Sequence, residues 1–168
     1  INELELVNDE RKIEKLLNSI EQSYTKAIFF KDIFTMINEI LFKRYMSLSD
    51  LLKYSLTKVC NYLGIKTKMI NPPEIPEQLT GKDRIIEICI IENCFEYVNP
   101  IGGIEIYNKD EVAAKGISLS FLKPDEITYR QYGAEFVKGL SIIDHMMFND
   151  VNIVKRYLKR YSLICICL

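Results

Sequence analysis

The run YVNPIGG, residues 97–103, closes an apolar stretch with proline and glycine and decides how the chain is organised. Residues 95–98 are predicted to form a short buried strand that leads into this turn. A capping box at residues 108–111, NKDE, predicts a helix that ends at Gly116. Residues 117–121, ISLSF, alternate apolar and polar side chains, which indicates a strand with one buried face. Strand, helix and strand in this order favour an α/β fold with a mostly parallel sheet flanked by helices.

Three helices are predicted ahead of this stretch from apolar residues spaced three and four positions apart. They run from Asn8 or Asp9 to about Thr25, from near Phe30 to Tyr45, and from a cap at Ser47 or Ser49 to Gly64. Strands are predicted at residues 1–7, by alternation, and at residues 65–70. Residues 71–76, NPPEIP, are predicted to be a surface connection because proline removes amide donors and fixes φ.

Apolar runs and capping residues predict the remaining helices. The near-continuous apolar run at residues 82–93 fits either a strand or a buried helix, and its length favours a helix. Residues 141–148 and 149–161 are predicted to form two helices, each begun by a capping residue. Residues 123–124, Lys-Pro, are predicted to end the strand at residues 117–121.

Composition restricts the class of protein. The 168 residues are 48% hydrophobic and 27% charged, ordinary globular values, and we expect one domain over residues 1–168. A net charge of −1 argues against a nucleic-acid partner, since such domains normally carry a basic surplus. The basic run at residues 155–160 is interpreted as a solvated helix face in preference to a phosphate site. No apolar run is long enough to span a membrane, and no signal peptide opens the chain.

Cysteine and histidine usage bears on location and metal binding. The five cysteines are odd in number, and no CxxC pair accompanies a histidine cluster, so a reducing cytoplasm fits best. His145 is the only histidine, and a structural or surface role is favoured over metal binding because metal-ligating histidines usually have partners. We expect no metal site, and the sequence names no cofactor.

Three places could take part in chemistry. Residues 102–103, Gly-Gly, could turn their N–H groups toward an anion beyond the end of a parallel strand, or could form a simple turn. Gln131 lies among tyrosines, an arginine and a glycine, a mixture that suits either a small polar ligand or a satisfied surface loop. Asp144 falls in the first turn of its predicted helix, where capping explains a carboxylate fully.

Taken together, these motifs resemble the WbqC-like protein family. The resemblance is carried by YVNPIGG at 97–103, EIY at 105–107, GISLSFLKP at 116–124, YRQ at 129–131, and LSIID at 140–144 with MFN at 147–149. Residues 20–30 and 62–67 resemble the middle section of the same family, so the similarity covers essentially the whole chain in a consistent order.

The resemblance implies a bacterial protein encoded among genes for O-antigen and other surface polysaccharides. It further implies a cytoplasmic transferase that passes an acyl or glycyl group to a nucleotide-linked amino sugar. Carried over residue by residue, it points to seven site positions without implying the chemistry of each: Asn99, Gly102, Gly103, Tyr107, Gln131, Ser141 and Asp144. Of these we expect Asp144 and Gln131 to be catalytic and to orient the acceptor, and the other five to bind substrate.

The chain departs from the family pattern in two places. Residues 138–139, Lys-Gly, stand where a Pro-Asn-like pair is expected. Members of the family usually open with an additional segment that resembles the first β–α unit of a nucleotide-binding, Rossmann-like sheet, whereas this chain begins at Ile1 and has no tryptophan. We therefore expect a Rossmann-like fold that is incomplete at its N-terminus. The alternative function is a non-catalytic binding or scaffold domain that forms a homo-oligomer or binds a partner through exposed apolar surface.

Overall fold

A computed structural model describes residues 4, 6, 9–133 and 135–165, and these form an α/β structure. Within them lie seven α-helices: α1 (Glu10–Tyr24), α2 (Phe30–Phe42), α3 (Leu48–Tyr62), α4 (Gly81–Ile91), α5 (Lys109–Ala113), α6 (Ile142–Phe148) and α7 (Val151–Tyr157). The strands of the same residues are β1 (Glu96–Pro100), β2 (Ser118–Pro124) and β3 (Tyr161–Ile164).

The chain divides into two compact units. The first, the helical unit, comprises Ile1–Thr67 and Ile127–Leu158 and holds α1, α2, α3, α6 and α7. The second, the sheet unit, comprises Lys68–Glu126 and Lys159–Leu168 and holds α4, α5 and the three strands. Each unit has its own hydrophobic core. That residues 1–168 form one domain stays a prediction.

Side-chain caps begin four helices of the helical unit, α1, α3, α6 and α7. The side chains of Asp9, Ser47, Ser141 and Asp150 each accept a backbone N–H from the first turn of the helix that follows. These contacts satisfy donors that a helix leaves without an intrahelical partner. The predicted starts of these four helices are therefore confirmed. Two helix ends were predicted less well: α2 stops at Phe42 and α7 stops at Tyr157, both earlier than expected.

The core of the helical unit is built around α6. Met146 and Met147 are both fully buried, packed with aliphatic side chains of α1 and α2. The backbone N–H of Phe29, in the turn between α1 and α2, donates to the carbonyl of Met147 over 3.1 Å. This packing fixes α6, whose first turn carries Asp144, against the α1–α2 turn.

The sheet unit holds a mixed sheet of three strands in the order β1-β2-β3. β1 pairs with β2 in parallel, with Tyr97 opposite Leu119, and β2 pairs with β3 antiparallel, with Phe121 opposite Ile164. Phe121 is fully buried in the core of this unit. The parallel pair follows the predicted strand–helix–strand pattern. A mostly parallel sheet and a Rossmann-like arrangement are not confirmed, because β3 joins from the far end of the chain in the opposite direction.

Four strand predictions need correction or comment. Residues 65–70 have no regular structure, since among the described residues no neighbouring strand supplies a ladder for their backbone groups. The strand predicted to be buried at residues 95–98 runs from Glu96 to Pro100 and alternates exposed with half-buried residues. The Lys-Pro pair does not end β2 early, because Pro124 is itself the last residue of that strand. The strand predicted at residues 1–7 falls almost entirely outside the described residues.

Candidate functional site

Asp144 is a buried carboxylate in the helical unit, with 3% of its surface exposed. It lies in the first turn of α6, and Ser141 caps that helix by accepting the N–H of Ile143 over 3.2 Å. A buried carboxylate is costly unless hydrogen-bond donors surround it. The sequence alone explained Asp144 as a capping residue, whereas in the structure its side chain points to distant donors.

Two side chains donate to Asp144, and a third lies beside it. The hydroxyl of Tyr129 donates to Oδ2 over 2.5 Å, and Nε2 of Gln131 donates to the same oxygen over 3.0 Å. Tyr24, at the end of α1, lies close enough to this carboxylate for Asp144 to contribute to the raised pKa of its hydroxyl. We name these four residues, Tyr24, Tyr129, Gln131 and Asp144, the carboxylate cluster.

Burial keeps both tyrosines protonated, so that they remain donors. Burial, reinforced by the nearby Asp144 carboxylate, raises the pKa of Tyr24 to about 12. The pKa of Tyr129 is also raised, first by burial and then by its own hydrogen bond to Asp144. At neutral pH the carboxylate is therefore surrounded by two neutral hydroxyls and an amide.

Gln131 joins this cluster to the loop that follows it. Its Nε2 also donates to the Tyr129 hydroxyl and to the carbonyl of Val137, each over 3.1 Å. Its Oε1 accepts the N–H of Val137 over 2.8 Å. The side chain therefore closes the loop between residues 131 and 137 through two bonds to one backbone position. Gln131 and Asp144, which the sequence nominated separately, are brought into direct contact.

His145 packs against the same cluster. Its ring lies 4.3 Å from the ring of Tyr129 and 6.1 Å from that of Tyr157, measured between centroids. Burial lowers the pKa of His145, although the nearby charge of Asp144 opposes the shift. His145 is therefore neutral at pH 7 and acts as an aromatic packing group.

We predict that His145 titrates below the ordinary histidine pKa of about 6.5. Because its folded-state pKa is depressed, its contribution to stability is present above the unfolded pKa and is lost as pH falls through the folded value. The chain has one histidine, so a proton NMR titration reports this group without assignment. A midpoint at or above 6.5 would contradict the buried packing described here.

A cleft of about 480 Å³ opens beside the cluster within the helical unit. Its lining combines cations, an amide, aromatic rings and an aliphatic side chain: Lys26, Ile28, Arg130, Gln131, Tyr132, Gly133 and Phe148. Tyr132 packs edge-on against Phe148 with 4.9 Å between ring centroids. We name this cleft, with its seven lining residues, the cationic cleft. Gln131 belongs to both the cleft and the carboxylate cluster, so the buried network supports one wall of the cleft.

A second depression, of about 330 Å³, shares Lys26 and Tyr132 with the cationic cleft. Its other lining residues are the polar side chains of Gln22, Ser23 and Thr25. We name it the polar depression. Amide and hydroxyl groups of this kind suit a ligand rich in hydrogen-bonding groups.

The predicted substrate residues Asn99, Gly103 and Tyr107 come together in the sheet unit. The hydroxyl of Tyr97 donates to Oδ1 of Asn99 over 3.1 Å and lies 3.2 Å from the hydroxyl of Tyr107. A Cβ placed on Gly103 would lie 2.0 Å from Nδ2 of Asn99. Gly103 is therefore required for the close approach of Asn99, whereas Gly102 is exposed and has open space around it.

Replacing Gly103 with alanine is expected to destabilise the sheet unit by about 1–3 kcal/mol. The added methyl group must displace the Asn99 amide and so break its hydrogen bond to Tyr97. Chemical unfolding followed by circular dichroism measures the change. Gly102→Ala is the matched control, because no atom lies within 4 Å of its added Cβ. Equal losses in the two variants would contradict the role assigned to Asn99.

Sequence reasoning missed Tyr24 and Lys26 of the helical-unit site, and it placed Tyr129 and Arg130 only as neighbours of Gln131. Both pairs lie in motifs that carry the family resemblance, YTK at residues 24–26 and YRQ at residues 129–131. The signal available was their position in those motifs. Their proximity depends on the packing of α1 against the loop before α6, which no local pattern shows.

Two negative findings apply to the described part of the chain. There, no group of three or more histidine, cysteine or acidic side chains is arranged to hold a metal ion. None of the helices within the described ranges has the length and apolar character that crossing a membrane requires.

Comparison with known proteins gives one match. Searches of curated proteins and of solved structures found nothing that matches the chain. The model of the WbqC-like protein family matches residues 1–156. This match includes every residue of the carboxylate cluster and of the cationic cleft. It also includes Asn99, Gly103 and Tyr107 of the sheet unit. The chain belongs to the WbqC-like protein family.

Proposed function

We propose that the protein is a cytoplasmic transferase that acts on a nucleotide-linked amino sugar during the assembly of O-antigen or another surface polysaccharide. An activated acyl or glycyl donor would supply the transferred group. In the reaction a bond forms between the sugar nitrogen and the acyl carbon, the bond from that carbon to the donor's leaving group breaks, and one amine proton is released. Family membership and the chemistry of the cationic cleft support this proposal.

The observation that carries the proposal is the anchored wall of the cationic cleft. Buried Asp144 holds Tyr129 and Gln131, and these flank Arg130 in the sequence. The loop therefore presents a cation, an amide and the Tyr132 ring to one opening. Binding sites for small polar molecules combine a few positioned polar groups with aromatic surface, and a buried network that fixes the loop lowers the entropy cost of binding.

Within this proposal, Asp144 and Gln131 act as positioning residues that hold the acceptor-binding loop. Their own contact with a substrate stays a prediction. Ser141 contributes by capping α6 and so placing Asp144. In the sheet unit, Asn99, Gly102, Gly103 and Tyr107 stay proposed substrate residues. The exposed position of Gly102 supports its inclusion, while the close approach of Asn99 gives Gly103 a structural reason that needs no ligand.

Thermal unfolding in the presence of sugar nucleotides tests the proposal. The probes are UDP-, dTDP- and GDP-linked sugars that carry an amine, each compared with the same sugar carrying a hydroxyl group. A ligand present at 100 times its dissociation constant adds about 2.7 kcal/mol to stability, which gives a clear rise in melting temperature. We expect at least one amine-bearing probe to raise it. If none does, the proposed substrate class is wrong.

The alternative function is a non-catalytic binding or scaffold domain. One observation favours it: the Asp144 oxygen Oδ2 and both polar atoms of Gln131 are already bonded inside the protein. Polar groups that are already hydrogen-bonded within the protein stabilise a binding surface more readily than they transfer protons. Binding of a sugar nucleotide without any transfer of an acyl group would favour this alternative.

A further inference from the structure

The cationic cleft contains two positive charges that no carboxylate of the described residues neutralises through an ion pair. Lys26 lies in the turn after α1, and Arg130 lies in the loop that the carboxylate cluster anchors. No acidic side chain lines the cleft, and among the described residues no ion pair involves either cation. Some other cations of the described residues do have an ion pair, as Lys58 has with Glu39. The charge of the cleft is therefore complementary to an anion.

The cation types and their aromatic neighbour narrow the class of anion. Arginine offers a planar fork of donors that matches two phosphate oxygens, and lysine adds a compact charge. Tyr132 stands beside both, with 47% of its surface exposed and its ring held by Phe148. An exposed ring held in place is a surface on which a nucleobase can stack. Phosphate with an aromatic base is the combination that this cleft fits.

The polar depression extends the same site on the other side of Lys26 and Tyr132. Its hydroxyl and amide groups come from Gln22, Ser23 and Thr25 at the end of α1. A ligand bound at Lys26 could therefore have a second group in the polar depression. Taken together, the cationic cleft supplies the two cations and the Tyr132 ring, and the polar depression supplies hydrogen-bonding groups at one end.

We propose that Lys26 and Arg130 bind the diphosphate of a nucleoside-diphosphate sugar, with the sugar in the polar depression. The inference deepens the proposed function, on which its sugar portion rests. It assigns the diphosphate to the helical unit, to two residues that the sequence did not nominate.

Isothermal titration calorimetry tests the assignment with three probes: uridine diphosphate, inorganic pyrophosphate and uridine. We expect both phosphate probes to bind, with affinity that falls as salt rises, and uridine to bind far more weakly. Lys26→Gln and Arg130→Gln should each weaken binding of uridine diphosphate by about tenfold or more, because each removes a charged hydrogen bond. Matched controls are Lys31→Gln and Arg11→Gln, exposed positions of the helical unit outside both openings, which should leave binding unchanged.

Two outcomes overturn the assignment: neither phosphate probe binds, or the cleft variants bind as the controls do. Far-UV circular dichroism checks that all four variants are folded. A further variant, Thr25→Ala, should weaken binding of UDP-N-acetylglucosamine and leave binding of uridine diphosphate unchanged. If Thr25→Ala and the wild type bind the sugar nucleotide equally well, the sugar does not bind in the polar depression.

The same variants separate this inference from the proposed function. If Lys26→Gln and Arg130→Gln lose phosphate binding but the wild type transfers no acyl group, the diphosphate site stands and the transferase fails. If both variants transfer an acyl group with the KM of the wild type, the transferase stands and the diphosphate site is wrong.

Discussion

Replacing Asp144 with alanine is expected to lower the stability of the helical unit by about 2–5 kcal/mol, because each donor left without its acceptor costs about 1–3 kcal/mol. The substitution removes the common acceptor of Tyr129 and Gln131 and the carboxylate beside Tyr24. Urea unfolding followed by far-UV circular dichroism measures the loss. Asp32→Ala is the matched control, since Asp32 is also in the first turn of a helix but is exposed.

Asp144→Asn separates the charge of this side chain from its shape. The amide keeps one acceptor oxygen, so we expect a smaller loss of stability than in the alanine variant. Without the negative charge, the pKa of Tyr24 should fall from about 12 toward the ordinary tyrosine value. Absorbance titration of the tyrosines measures this shift. If Asp144→Ala is as stable as Asp32→Ala, the carboxylate cluster does not hold the unit together.

Replacing Gln131 with glutamate is expected to cost about 2–4 kcal/mol at pH 7 although the two side chains have nearly the same shape. The donor that lies 3.0 Å from Oδ2 of Asp144 becomes a second carboxylate oxygen. Like charges at that distance raise the pKa of the pair, so the variant should recover part of its stability as one proton is taken up.

The sign of this pH dependence follows from linkage. In the Gln131→Glu variant, the introduced carboxyl has a pKa of about 4.3 in the unfolded chain and a raised pKa in the folded protein. Its contribution to stability is therefore present at low pH and is lost as pH rises through the folded-state pKa. The gap in stability between variant and wild type should therefore be larger at pH 7 than at pH 4. Gln78→Glu, at an exposed position, is the control and should show no such trend. A gap that does not change with pH would contradict direct contact between residues 131 and 144.

The sequence predicted those features that depend on neighbours in the chain. Asp9, Ser47 and Ser141 cap helices because a side-chain oxygen reaches an N–H two or three residues later, which is a local requirement. The parallel pairing of β1 with β2 also follows from a local strand–helix–strand order. β3 could not be predicted in this way, because its pairing with β2 joins distant parts of the chain.

In the candidate site too, local features were predicted from the sequence and contacts between distant residues were not. Gln131 and Asp144 were nominated separately by the family resemblance, but the resemblance did not show that they share a hydrogen bond. Tyr24 completes the cluster from a distant part of the sequence, and only tertiary packing brings it there. At Gly103, the sequence left open either a backbone exposed to a ligand or a simple turn, and the structure shows an amide side chain packed where a methyl group would be.

The measurement that tests the central claim most directly is an NMR titration of backbone amides with uridine diphosphate. If the cationic cleft binds the diphosphate, the largest shifts fall on Lys26, Arg130 and Gly133, while the amide of Gly102 in the sheet unit stays unchanged. Shifts confined to residues 99–107, or no shifts at all, would contradict the account.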